Sequence, residues 1–135
     1  MENPIWPLQV AVKQKADTDI TGYKVYDDVP ENEPVDYIVL GDFEFTNESN
    51  KTHDMMEITH TFTVWSQYNG TKKVCEMLNK IIQTFDGFAP DLTAAGFKVR
   101  FARWERGKIS RYDRDGVIYR YGHVSFRYII QDQGG

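Results

Sequence analysis

Three histidines, one cysteine and a few clustered acids are the side chains of this sequence whose types could carry catalytic or metal chemistry. His53, His60 and His123 show neither H-x-x-x-H nor HExxH spacing, so no metal set is legible, and they read as surface or partly buried pairing residues in a loop and two strands. Cys75 has no Cys or His at a helpful spacing and borders the apolar stripe of a helix, which makes it a packed thiol rather than a nucleophile. Asp113-Arg114-Asp115-Gly116 is loosely similar to the opening of a calcium loop, but the acidic ligand needed near position 124 is replaced by Val124. The acids Asp27, Asp28, Glu31 and Glu33 could do acid–base work only in a pocket. Pro30 and Pro34 flank them instead, so they belong to an exposed, extended loop that could dock on a basic surface. GxSxG, P-loop and GxGxxG motifs are absent. The expectation is a protein with no catalytic centre, no cofactor and no metal.

The strongest local signal is cationic. Lys98, Arg100, Arg103, Arg106, Lys108, Arg111 and Arg114 run along one hairpin with Phe101, Trp104 and Tyr112 interleaved. Arginine beside aromatics suits nucleic acid, because guanidinium neutralises phosphate and rings stack on bases. The same residues also make a solvated strand face or pair with a neighbouring subunit's carboxylates. Both readings stand at this level. The net charge of −4 conceals a segregation: residues 1–96 hold 7 Lys+Arg against 16 Asp+Glu, and residues 97–128 hold 9 against 3. An acidic and a basic face are expected, which bears on partners more than on fold.

The elements that must position these groups follow from periodicity. Residues 5–16 form a short helix with Pro7 in its first turn and Leu8, Val12 and Ile5 or Trp6 facing the core. Asp17 to Gly22 reads as a turn and Tyr23 to Tyr26 as a brief strand. Asp36 to Thr46 is a strand whose buried parity changes between Ile38/Leu40 and Phe43/Phe45, which places a bulge at Gly41-Asp42. Residues 55–66 alternate, with Met56, Ile58, His60, Phe62 and Val64 on one face. From Asn69 onward, Val74, Leu78, Ile81, Ile82 and Phe85 form the stripe of a helix that lies on a sheet and stops at Gly87. Two strands, 97–109 and 117–130, flank a turn over Arg111 to Gly116, and Val124, Phe126, Tyr128 and Ile130 share a face. This gives one α+β domain, α-ββ-α-ββ, with helices packed on a mostly antiparallel sheet.

At 135 residues the chain can bury a sizeable core without staples, and with Cys75 alone it forms no internal disulfide, as befits a reducing compartment. The first residues lack a cationic start and an apolar run, and no stretch approaches the ~18 apolar residues of a membrane span. Synthesis in the bacterial cytoplasm is expected, and the sequons at Asn47, Asn50 and Asn69 read as loop chemistry.

The string Lys-Val-Tyr-Asp-Asp-Val-Pro-x-Asn-x-Pro-x-x-Tyr-Ile-Val-Leu-Gly, Lys24 to Gly41, resembles the opening of the siphophage and prophage tail-completion (tail-terminator) proteins. Phe62-Thr63-Val64-Trp65-Ser66, the paired Ile81 and Ile82, and Arg120-Tyr121-Gly122-His123-Val124-Ser125-Phe126 follow in that family's order. The likeness runs from about Leu8 to Ile130. It implies a non-enzymatic virion protein, a subunit of a homo-oligomeric and commonly hexameric ring at the head-proximal end of the tail. Such a ring stops growth of the tail-tube protein and presents a surface to a head-completion protein, with DNA passing through its channel. The interface candidates on that view are Asp27, Asp28, Glu31, Glu33, Arg100, Arg103, Arg106, Lys108, Arg111 and Arg114. Two alternatives remain: a small nucleic-acid-binding module built on the 98–114 hairpin, and another component of the head–tail joint.

Overall fold

A computed structural model describes residues 2–67 and 70–133. Helix α1 (Ile5–Asp19) starts where the Asn3 side chain accepts the Ile5 amide at 2.8 Å, which relieves one of the unpaired donors of a first turn. It buries Leu8, Val12 and Ala16. Ile5 rather than Trp6 joins the core; Trp6 is 68% exposed. The helix also continues past the turn expected at Asp17, where Lys13 pairs with Asp17 and Lys15 with Asp19, one helical turn apart.

Strand β1 (Lys24–Tyr26) pairs in parallel with β2 (Tyr37–Asn47) at the edge of the sheet. Strand β2 runs antiparallel to β3 (Met55–Ser66), and their register shifts between Leu40 and Phe43. That irregularity is the expected bulge. Because of it, Ile38, Leu40, Phe43 and Phe45 all sit opposite the inward residues Val64, Phe62, His60 and Ile58. Gly41 is required there, since a Cβ would lie 2.5 Å from the Thr61 carbonyl oxygen.

Helix α2 (Lys72–Phe85) buries Val74, Met77, Leu78, Ile81 and Phe85, and Gly87 takes a left-handed φ of +81° just beyond it. Asn69, read as the helix opening and as a sequon, lies outside the described residues. After a single 3-10 turn at Thr93–Ala95 come β4 (Phe97–Arg114) and β5 (Val117–Asp132). The two strands pair up to Arg114 and Val117, so the reversal is the two-residue turn Asp115-Gly116 and not the six-residue turn expected from Arg111. Both turn residues have positive φ, 51° and 78°, the pairing that follows the twist of a tight hairpin.

The sheet order is β1-β2-β3-β5-β4. The fold is α+β, and one core cluster joins both helices to one face of the sheet. Phe62, Phe85 and Phe126 meet at its centre with ring centroids 4.8 to 6.0 Å apart. The expected inward row Val124, Phe126, Tyr128 and Ile130 is buried throughout. The opposite face carries Thr59, Thr61, Thr63, Ser125 and Arg127.

Candidate functional site

The acidic and basic candidates occupy different edges of this one sheet. Asp27 and Asp28 follow β1 and are exposed, as is Glu31. Glu33 departs from the solvated reading. Its Oε1 accepts the Tyr26 hydroxyl at 2.7 Å and Lys24 Nζ at 3.0 Å, and its side chain is largely covered. Those hydrogen bonds, first from Tyr26 and then from Lys24, hold its carboxyl below the usual carboxylate range. Glu33 therefore anchors the loop, while the other three acids are exposed and make no ion pair among the described residues.

The cations lie on β4, the far edge. The register places Lys98, Arg103, Arg106, Lys108 and Arg114 opposite Gln131, Arg127, Ser125, His123 and Val117, on the helix-free face. The register slips between Val99 and Phe101 and again between Trp104 and Arg106, so Arg100 and Glu105 are extra residues. Arg111 faces Arg120 on the opposite side. Four of the seven cations have a carboxylate within 4 Å: Arg103 with Asp86 at 3.2 Å, Arg106 with Glu105 at 3.9 Å, Arg111 with Asp113 at 2.8 Å and Arg114 with Asp115 at 3.9 Å. Lys98, Arg100 and Lys108 make no ion pair among the described residues. Asp113 thus serves Arg111, which lowers its carboxyl, and Asp115 forms the turn, so the calcium-like string is hairpin chemistry.

Near the hairpin tip the sheet's bare face carries an aromatic row. Trp65 stacks on Tyr121 with centroids 4.9 Å apart and meets Tyr112 edge-on at 6.1 Å. Trp65 and Tyr112, together with Tyr37, Tyr119, Arg114, Glu33 and Pro30, line an open groove of about 620 Å³. At this end of the sheet Glu33 of the acidic loop and Arg114 of the hairpin tip line the same groove, although the strands that carry the two sets of charges lie at opposite edges.

The histidines separate. His53 Nδ1 pairs with the Gln131 amide at 3.0 Å, and His123 Nδ1 with the Thr63 hydroxyl at 2.9 Å. His60 is no surface pairing residue. It is fully buried, stacked on Phe43 with centroids 4.2 Å apart, and neither ring nitrogen has a hydrogen-bond partner among the described residues. Desolvation lowers its pKa to about 3, so the ring is a neutral core group. Its inward position in the alternation of β3 was the available signal. Cys75 is exposed, against the expectation of a packed thiol, because the helix turns its stripe through Val74 and Leu78 instead. Among the described residues no three His, Cys, Asp or Glu side chains converge, and no helix is long and apolar enough to cross a membrane.

No curated protein matches the chain. Among solved structures, a chain of the virion of a native gene transfer agent particle is similar, with a TM-score of 0.77 and 22% identity over 92% of this chain and 94% of that one. The shared fold is this sheet with its helices. A family model described as tail completion protein gp17 matches residues 8–131, a span that takes in α1 from Leu8, α2, the strands through Gln131, the acidic loop and the basic hairpin. The chain belongs to the phage tail-completion protein gp17 family.

Proposed function

We propose that this chain is a non-enzymatic ring subunit that caps the head-proximal end of a phage tail tube and joins the tail to the head. The observation that carries the reading is the family match over residues 8–131, which includes every candidate contact residue. Physical features support it. A ring subunit meets its neighbours through two different surfaces, and here the acids and the unpaired cations lie on opposite edges of one sheet. A tail-tube protein below and a head-completion protein above are the further partners of such a ring.

Local neutralisation weighs against a nucleic-acid-binding module. Four hairpin cations already face carboxylates, and phosphate binding scales with the charges left to neutralise phosphate. DNA in the ring's channel would meet Lys98, Arg100 and Lys108 at most.

The test is assembly of the tail-tube protein with and without this chain, read by electron microscopy. The expected result is tubes closed at one end by a ring and competent to join filled heads. Tubes of unchanged length with bare ends, and heads that fail to join, overturn the proposal.

A further inference from the structure

We infer that neighbouring copies continue each other's β-sheet, the β4 edge of one subunit lying against the β2 edge of the next. The inference rests on the ring reading and names its contact. Strand β1 covers β2 only at Tyr37, Ile38 and Val39. On the edge facing away from β3, the remainder of β2, through Asn47, has no strand beside it among the described residues, and neither does the outer edge of β4. Such edges present unpaired N–H and C=O groups that accept another strand.

The two edges match on both faces. On the helix-free side, Glu44 shares the face of Thr59, and Asp42 stands exposed in the neighbouring bulge. Neither acid makes an ion pair among the described residues. Across the proposed contact, the same side of β4 offers the unpaired Lys108 next to Ile109, with Arg106 the next cation along that face. On the helix side, Phe45 is 52% exposed, and β4 offers Trp104, 46% exposed, and Ile109, 38% exposed. Continuing a sheet keeps each face on its own side, so acid meets base where no helix packs and ring meets apolar side chain where helices do.

An open apolar groove of about 410 Å³ already runs beneath that row, between Leu78 and Ile82 of α2 and Trp104, Gly107 and Ile109 of β4. The two edges differ from each other, so the contact is head-to-tail and can close into a ring. Asp86 holds the Trp104 amide, and the incoming strand pairs to either side of that position.

Charge swapping tests the contact. One variant carries Asp42→Lys and Glu44→Lys; a second carries Arg106→Glu and Lys108→Glu; a third carries both sets. Association is measured by sedimentation velocity and by ring formation on assembled tail tubes, with circular dichroism checking the fold. Each single-edge variant should associate at least about tenfold more weakly, and the combined variant should recover, because the exchanged charges attract again. Independently, Phe45→Cys with Ile109→Cys in a Cys75→Ser background should give covalent oligomers on oxidation. Single-edge variants that assemble like the unaltered chain, a combined variant as weak as its parents, or oxidation that yields monomer alone overturn the edge contact and leave the ring reading in place. An unaltered chain that forms no oligomer, alone or on tubes, overturns both.

Discussion

Asp86, the residue that closes α2, reaches the edge of the sheet and accepts the backbone N–H of Trp104 at 2.9 Å. The same carboxylate oxygen takes Arg103 Nε at 3.2 Å. One side chain thus ties the end of a helix to an edge strand and occupies a donor that would otherwise be open.

Loss of that tie should be measurable. The Trp104 amide foremost, with Arg103 beside it, holds the Asp86 carboxyl below its ordinary range. The stabilisation is therefore present above the unfolded carboxylate pKa and is lost as pH falls through the lower folded value. Asp86→Ala should cost about 1 kcal/mol, since the group is partly solvated and screened. Urea denaturation at pH 7 and pH 3 checks this, and the gap between variant and parent should narrow in acid.

His60 sets a second pH dependence. Its folded pKa of about 3 lies below the ordinary 6.5, so the unfolded chain binds the proton first. Stability is full above pH 6.5 and falls by roughly 1.4 kcal/mol for each unit below it, until the folded value is reached. His60→Leu should remove this contribution and stabilise the fold at pH 7 by about 1 kcal/mol, because two unpaired buried nitrogens disappear. A denaturation series from pH 8 to pH 4 with an unchanged slope in the variant would show the assignment to be wrong.

Two glycines mark close approaches of different severity. At Gly122 a Cβ would meet Leu78 Cδ1 at 2.8 Å and Val74 Cγ1 at 3.0 Å, side-chain atoms that can turn aside. At Gly41 it would meet the backbone oxygen of Thr61 at 2.5 Å, which cannot move without breaking the β2–β3 pairing. Gly122→Ala is expected to cost about 1–3 kcal/mol and Gly41→Ala more. The order of their melting temperatures checks the argument.

The acidic loop should loosen when its anchor is removed. Glu33→Gln loses the ion pair with Lys24 and weakens the bond from Tyr26. Hydrogen exchange over residues 27–34 should quicken while the core amides of β3 stay protected, whereas Asp28→Asn should leave both unchanged. Equal effects of the two substitutions would refute the division of the loop into anchor and free acids.

The elements were legible wherever one face is buried, because burial writes a period into the sequence. The alternation in β3 and β5 and the stripe of α2 gave their strands and helix, and the parity change at Gly41-Asp42 gave the bulge. The Lys24 to Gly41 string carried the family. The hairpin's extent was not legible, because from Arg103 to Arg114 nearly every residue is exposed and no buried partner imposes a pattern. The fates of single groups were hidden as well. Whether a histidine is buried without a partner, whether Glu33 is free or tied to Tyr26, and which arginines find carboxylates depend on residues distant in sequence that only tertiary packing brings within reach. Composition along the chain determined that acid and base are segregated. The strand order decided that they stand on opposite edges of one sheet, since hydrogen bonding between strands, not position in the chain, fixes which strand lies at an edge.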